Sequence, residues 1–184
     1  MTVQVKFTYD DYLLFPDDGR RHELIDGEHY MTPAPSTTHQ RLVVRLSIAL
    51  GTFLNRQKAG QIFVAPTDVV LSDLDVVQPD LIFVSSARAS IITAKNIQGT
   101  PDLLIEILSE TTRKTDEIIK RKLYERYGVQ EYWIVDPELE TVKIYRITPQ
   151  GYSRTAELSR EATDTLSTPL LPGLRIVLVE LFEQ

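Results

Sequence analysis

One short stretch, "PDLLIEILS" at residues 101–109, restricts the fold of this chain strongly. It places Glu106 in the middle of an apolar run whose length and branched side chains predict a β-strand buried on both faces. An ionised carboxylate is costly in such surroundings unless it is paired with a cation or binds a metal ion. The sequence therefore predicts a buried strand that carries either a structural ion pair or a functional site.

The segments around this strand predict both helices and sheet. The pair Asp26-Gly27 predicts a tight hairpin between two short strands. A long helix is expected over about Thr38 to Lys58, because its apolar residues recur at helical spacing, and a second helix over about Thr115 to Tyr127. Further strands are predicted at "QIFVAPTDVVLS", "PDLIFVS", "EYWIVDP" and "TVKIYRI", and the tail from "GYSRTAEL" to "LRIVLVELF" is predicted to be β-rich.

The order of these elements indicates a mixed α/β fold of the α+β type. We expect a central mixed β-sheet flanked by helices, with extra β-hairpins, because the strands and helices do not alternate regularly. With 184 residues, the chain is long enough for one sizeable core, so we expect a single domain over residues 1–184.

Composition excludes several classes of protein. No apolar run reaches the roughly 18 residues that a membrane span needs, and the amino terminus lacks the features of a signal peptide. The chain contains no cysteine, which favours a cytoplasmic protein and excludes a thiolate metal site. The net charge of −6 argues against a general nucleic-acid coat protein. Any metal ligands must therefore be oxygen or histidine, and oxygen ligands favour magnesium, manganese or calcium.

A second carboxylate accompanies Glu106. Asp80 follows Pro79 at the mouth of the apolar strand "LIFV", so the two carboxylates converge if the two strands pair. Two oxygen ligands completed by water suit Mg²⁺, which could activate a water for attack on a phosphodiester. The structural alternative is that Asp80 caps a turn and Glu106 pairs with an arginine.

A positive side chain is expected near these carboxylates. On the predicted helix after Glu106, a helical projection places Asp116 on the buried stripe and Lys120 at its margin. Arg121 and Lys122 project away from that margin. Lys120 is therefore the lysine best placed to enter a site beside the sheet. Its alternative role is to extend from the edge of the core to solvent.

An ordered series of motifs resembles a known protein family. The motifs are "HELIDGE", "PAPSTTHQ", "VQPDLIFV", "GTPDLLIEILSETTRKTD", "KRKLYERYGVQEYWIVDP" and "LLPGLRI". Together they resemble the "putative restriction endonuclease" family of the PD-(D/E)XK nuclease superfamily, over about Glu23 to Leu181. The resemblance implies a restriction-endonuclease-like core and a divalent-metal phosphodiesterase site.

The resemblance also implies roles for individual residues. By position, Glu23 in "HELIDGE" would be the acidic residue from the N-terminal part of the core. Asp80 in "QPD" would be the first metal ligand and Glu106 in "IEILS" the second. The carbonyl oxygen of Ile107 would complete the metal shell.

The chain departs from the superfamily pattern at one position. The lysine expected two residues after the acidic residue is here Leu108, and the matching lysine of this family is Lys120 in "KRKLYERYGV". The segment "STTHQ" recurs in the family, but a lone histidine on a helix is more often structural. His39 is therefore not assigned to the site.

Our leading hypothesis is a Mg²⁺-dependent endonuclease that hydrolyses DNA, in which Mn²⁺ can substitute. Lys120 would orient or activate the water, and Glu23 would assist the metal or its waters. The alternative is a catalytically inactive module that keeps the nuclease fold and has a nucleic-acid-binding or regulatory role. A third option is a phosphoesterase acting on small nucleotides. A homodimer is consistent with double-strand cutting, which needs two sites.

Overall fold

The computed structural model describes residues 5–183. In chain order the elements are α1 (Tyr9–Tyr12), β1 (Arg21–Ile25), β2 (Glu28–Thr32), α2 (Thr37–Gln57), β3 (Gly60–Val64), β4 (Val69–Ser72), β5 (Asp75–Val77), β6 (Leu81–Ser85), a 3₁₀ helix (Ser86–Ile91), β7 (Ile97–Gln98), β8 (Leu103–Ile107), a π-helix (Thr115–Lys120), α3 (Arg121–Arg126), β9 (Glu131–Asp136), β10 (Thr141–Thr148), β11 (Gly151–Ser159), β12 (Thr165–Leu166), β13 (Ile176–Val177) and α4 (Leu178–Leu181).

The largest sheet has six strands in the order β11-β10-β9-β8-β6-β3. Its central pair, β8 and β9, is parallel, and the other pairs are antiparallel. The sheet is therefore mixed, which confirms the predicted architecture. The two strands that carry the candidate carboxylates are neighbours, with Leu81 opposite Ile105.

The alternation of side chains along β8 divides the apolar residues between two cores. Leu103, Ile105 and Ile107 pack in the core that contains the buried face of α2, whereas Leu104 packs in the core that contains residues of α3. Both faces of the sheet are therefore covered, which explains why the strand is apolar almost throughout. Glu106 follows the alternation of Leu104 and so lies on the α3 side.

A second sheet covers part of the α3 side. It has five strands in the order β2-β1-β5-β4-β7, and its residues Ile25, Val69 and Val77 pack in the core shared with Leu104. The predicted hairpin is confirmed, because Asp26 and Gly27 connect β1 to β2 with φ angles of 52° and 73°. This sheet brings β1 to the carboxylate strands.

The helix predicted over Thr115 to Tyr127 forms, but a regular α-helix is the wrong description of its first half. Thr115–Lys120 is a π-helix, and only Arg121–Arg126 is α-helical. The wider π turn was missed because it differs from an α turn by one residue, which the apolar spacing of so short a segment does not reveal. Such turns occur frequently at functional sites.

The β-rich tail was predicted correctly for β11 to β13 but wrongly for the last element. Leu178–Leu181 forms the short helix α4, whose Leu178 and Leu181 are both buried. A spacing of three residues places both side chains on one helix face, so the apolar segment "LVEL" satisfies a helix as well as a strand. No helix within residues 5–183 combines the length and hydrophobicity needed to cross a bilayer.

Candidate functional site

The four residues singled out in the sequence line one cavity of about 500 Å³. They come from different elements: Glu23 from β1, Asp80 from the start of β6, Glu106 from β8, and Lys120 from the π-helix. Asp116, one turn before Lys120, lines the same cavity. The fold therefore gathers four acidic side chains and one lysine at a single place on the α3 side of the main sheet.

Strand register brings Asp80 and Glu106 together. Because Leu81 lies opposite Ile105 in an antiparallel pair, the next position along places Asp80 opposite Glu106. The backbone N–H of Ile107 donates a hydrogen bond of 2.9 Å to Oδ2 of Asp80. The two carboxylates thus lie on the same face of neighbouring strands, as expected from the sequence.

Lys120 joins three of the carboxylates. Its ammonium nitrogen lies 2.9 Å from Oε1 of Glu23, 2.9 Å from Oε1 of Glu106 and 3.6 Å from Oδ1 of Asp116. Glu23 is held in place by the backbone N–H of Gln78, at 2.7 Å. The alternative in which Lys120 extends to solvent is wrong, because the residue is only 4% exposed.

Asp80 has two further partners that the sequence analysis did not place in the site. The guanidinium of Arg21 lies 2.6 Å from Oδ1, and Nε2 of His39 lies 3.0 Å from Oδ2. A signal for His39 was present, since it precedes Leu42 by three residues and continues the buried stripe of α2. Ser36 caps that helix by accepting a hydrogen bond from the His39 backbone N–H.

Glu106 retains one oxygen for a ligand. Its Oε1 accepts hydrogen bonds from Lys120 and from the hydroxyl of Tyr124, each at 2.9 Å. No donor within residues 5–183 binds its Oε2. The alternative in which Glu106 pairs with an arginine is therefore wrong, and its partners are instead a lysine and a tyrosine.

Burial perturbs the acid–base chemistry of the cluster. Burial raises the pKa of Glu106 well above its ordinary value, opposed by Lys120 and reinforced by Asp116 and Asp80. Burial likewise raises the pKa of Asp116 to about 6, against the opposing charge of Lys120. Burial alone would lower the pKa of Lys120, but the surrounding carboxylates outweigh it and raise that pKa. Lys120 is therefore a permanent ammonium at neutral pH.

The pKa of Asp80 is shifted in the opposite direction to that of Glu106. Burial alone would raise its pKa, but the hydrogen bond and charge of His39, together with the charge of Arg21, outweigh burial and lower it. Asp80 is therefore the carboxylate of the pair that stays ionised most readily. Two adjacent carboxylates with pKa values shifted in opposite directions are a feature of functional sites.

The donor set fits a hard divalent cation in its chemistry. Four buried carboxylates face two permanent cations, Lys120 and Arg21, so the cluster carries surplus negative charge when ionised. Within residues 5–183 no group of three or more acidic or histidine side chains is arranged to hold a metal ion. Mg²⁺ needs fewer protein ligands, because it keeps several waters and binds through one or two carboxylates. Asp80 and Glu106 meet that requirement.

Comparison with known proteins agrees with the fold. The Uma2 family model, described as "Putative restriction endonuclease", matches residues 9–179. A crystal structure described as "a putative nuclease belonging to DUF820 from Anabaena variabilis ATCC 29413" superimposes with a TM-score of 0.80 at 23% identity, covering 96% of this chain and 97% of that chain. That likeness shows a shared fold.

A second solved structure, the type IIG restriction endonuclease BpuSI, covers 70% of this chain and 15% of its own, with a TM-score of 0.42 and 13% identity. No curated protein matches the chain in sequence. The family model spans nearly the whole chain, from α1 to α4, and includes every residue of the carboxylate cluster. The chain therefore belongs to the Uma2 family, whose members are described as "Putative restriction endonuclease".

Proposed function

We propose that this chain is a divalent-metal-dependent endonuclease that hydrolyses phosphodiester bonds of DNA, working as one nuclease domain. One observation carries the proposal. The ammonium of Lys120 lies within 2.9 Å of both Glu23 and Glu106, in a cavity that also contains Asp80. Acidic oxygen ligands beside a permanent cation suit metal-assisted phosphodiester hydrolysis.

Asp80 and Glu106 would hold the metal ion, Mg²⁺ or Mn²⁺. When bound, that ion supplies positive charge to the buried carboxylates and to the scissile phosphate. Asp80 is suited to this role because Arg21, His39 and the Ile107 N–H fix the orientation of its carboxylate. Glu106 is suited because its Oε2 remains without a donor among the described residues.

Lys120 acts as a charge-stabilising and orienting group. Its raised pKa keeps the ammonium protonated, so it cannot accept the proton of an attacking water at neutral pH. It can donate hydrogen bonds to the water or to the phosphate, and its charge stabilises the negative charge that develops in the transition state. Glu23 holds the ammonium in position from β1, and it would assist the metal ion or its waters.

The non-catalytic alternative is favoured by a specific observation. Arg21 and His39 contact Asp80, and Lys120 and Tyr124 contact Glu106, so protein groups already compensate both carboxylates. A nucleic-acid-binding or regulatory module would need only this compensated state. The net charge of −6 makes weak DNA binding the expectation for both functions.

A plasmid assay separates the two functions. The purified protein at low salt should nick supercoiled DNA when Mg²⁺ or Mn²⁺ is added, and EDTA should stop the reaction. Asp80→Asn and Glu106→Gln should each remove most of the turnover while DNA binding persists. A wild-type protein that binds Mn²⁺ but cuts neither duplex nor single-stranded DNA would favour the non-catalytic module. The homodimer and the cytoplasmic location remain predictions from the sequence.

A further inference from the structure

A second cavity, of about 530 Å³, adjoins the candidate active site. The two cavities share a wall formed by Arg21, Thr32, the loop at residues 33–35 and Gln78. Most of the remaining lining comes from α1 and the segment that follows it, and His22, Gln40, Ala65 and Pro66 complete it. Its volume lies within the range of ligand-binding pockets. A single nucleotide could therefore place one part in each cavity.

Aromatic rings line this second cavity. Tyr12, Phe15 and His22 contribute to its wall, and the ring centroids of Tyr12 and Phe15 lie 5.7 Å apart. These rings belong to a larger aromatic cluster in which Phe15 also contacts Phe7, at 5.6 Å, and His29, at 4.4 Å. Several prolines complete the lining: Pro16, Pro33, Pro35 and Pro66. The cavity thus offers flat, rigid apolar surfaces.

One polar group in the shared wall lacks a partner. Gln78 donates from Nε2 to Oδ1 of Asp68 at 2.8 Å and to the hydroxyl of Tyr12 at 3.2 Å, which fixes the orientation of its amide. Its Oε1 is left without a hydrogen-bond partner among residues 5–183. A buried acceptor of this kind is costly unless a ligand or water donates to it.

The charges of the second cavity do not favour a phosphate. Asp17 and Arg20 both line it, so it has no surplus of positive charge from these residues. The other arginine in its wall, Arg21, is already paired with Asp80. A flat uncharged ligand fits this lining better than an anion does. A nucleobase has those properties.

We propose that the second cavity binds an unstacked nucleobase of the strand whose phosphate occupies the carboxylate cavity. This inference rests on the proposed endonuclease function and specifies its substrate class: single-stranded DNA, or DNA with a locally unpaired nucleotide. A base inside a continuous duplex cannot enter the cavity without leaving the stack, which costs free energy. An unpaired base enters without that cost and gains contact with Phe15 and Tyr12.

The first test needs only the wild-type protein. Binding is measured by fluorescence anisotropy with Ca²⁺ in place of Mg²⁺, because Ca²⁺ also takes oxygen ligands and offsets the charge of the carboxylates. Three labelled probes of equal length are compared: a single strand, its fully paired duplex, and a single strand of abasic sugar phosphates. The normal single strand should bind at least about fivefold more tightly than the abasic strand, because stacking on aromatic side chains supplies that difference. The duplex should bind more weakly than the normal single strand. Equal affinity for normal and abasic strands would overturn the proposal.

A matched pair of variants locates the base. Phe15→Leu keeps an apolar side chain against the hairpin but removes the ring from the cavity, whereas Phe7→Leu removes a ring of the same cluster that does not line the cavity. Phe15→Leu should weaken binding of the normal strand by about fivefold or more and leave the abasic strand unchanged. Phe7→Leu should change neither. Identical effects of the two variants would contradict the assignment of the cavity.

The plasmid and binding results separate the two proposals. Metal-dependent cutting without any preference for unpaired bases would overturn the base site and leave the endonuclease intact. Base-dependent binding without metal-dependent cutting would overturn the endonuclease and leave a base-binding cavity.

Discussion

The ammonium of Lys120 lies 2.9 Å from Oε1 of Glu106, although the two residues are 14 positions apart and belong to different elements. Leu108, two residues after Glu106, is buried in the core shared with α3. The strand position that carries a lysine in the superfamily pattern is therefore used for packing, and the π-helix supplies the ammonium instead. Lys120 is thus the only lysine within residues 5–183 that contacts Glu106.

Replacing Lys120 should destabilise the protein as well as inactivate it. Lys120→Met leaves Glu23, Glu106 and Asp116 without their buried counter-charge, and breaking a buried ion pair in this way costs about 3–5 kcal/mol. We expect that loss in the free energy of unfolding at pH 7, measured by urea denaturation, and a smaller loss at pH 5, which lies below the raised pKa of about 6 of Asp116. Lys122→Met is the control, because Lys122 is exposed. Equal effects of the two substitutions would contradict the assignment.

Replacing Asp116 should change the pH dependence of stability. Its folded-state pKa of about 6 lies above the ordinary value of 3.8, so the folded protein retains a proton that the unfolded chain releases. Its contribution to the free energy of unfolding is therefore fully present below pH 4 and is lost as the pH rises to about 6. Asp116→Asn should reduce this loss of unfolding free energy with rising pH. The metal-free variant should therefore be more stable than the metal-free wild type at pH 7. Denaturation curves at several pH values measure both effects.

Asp136 provides a control, because its pKa is shifted in the opposite direction to that of Asp116. Burial alone would raise its pKa, but hydrogen bonds from Arg113 and from the backbone N–H groups of Leu139 and Glu138 together outweigh burial and lower it. Its contribution to stability is present above the ordinary pKa and is lost as the pH falls through the lowered value. Asp136→Asn should therefore destabilise the protein at pH 7. A parallel response of the Asp116 and Asp136 variants would show that the pH effect is not specific to the carboxylate cluster.

His39 should act by positioning Asp80. His39→Ala removes one of the donors that fix the Asp80 carboxylate, and loss of such a supporting contact typically weakens metal binding by about 10–100-fold. His39→Gln retains an amide donor and should recover part of the affinity. Calorimetric titration with Mn²⁺ measures the loss and the recovery without reference to turnover. His29→Gln, which changes a histidine outside the carboxylate cavity, should leave Mn²⁺ affinity unchanged.

The sequence predicted that the two carboxylates converge if their strands pair, and the structure supplies that pairing. An apolar sequence predicts that a strand is buried, so a carboxylate within such a strand is easy to recognise. Because the two strands are neighbours in the sheet, Asp80 and Glu106 lie opposite each other. Lys120 was selected by a projection at α-helical spacing and by the family resemblance, and it enters the site although its segment is a π-helix. Its neighbour Asp116 was placed on the buried stripe for the same reason, although its contact with the lysine was not foreseen.

Other parts of the site depend on contacts between distant segments. Arg21 and His39 reach Asp80 from β1 and from the first turn of α2, and no local pattern specifies that β1 pairs with β5 beside the main sheet. The π-helix was missed because neither composition nor apolar spacing distinguishes a π turn from an α turn in so short a segment. Side-chain partners and local helix geometry therefore required the tertiary structure.

Diffraction from crystals soaked in Mn²⁺, recorded at a wavelength where manganese scatters anomalously, tests the central claim most directly. We predict one anomalous peak within bonding distance of an oxygen of Asp80 and an oxygen of Glu106, at about 2.0–2.2 Å for a hard divalent cation. Asp80→Asn crystals treated identically should lose that peak. The soak uses the Mn²⁺ concentration of the plasmid assay. A wild-type map with no peak between the two carboxylates would contradict the proposed metal site.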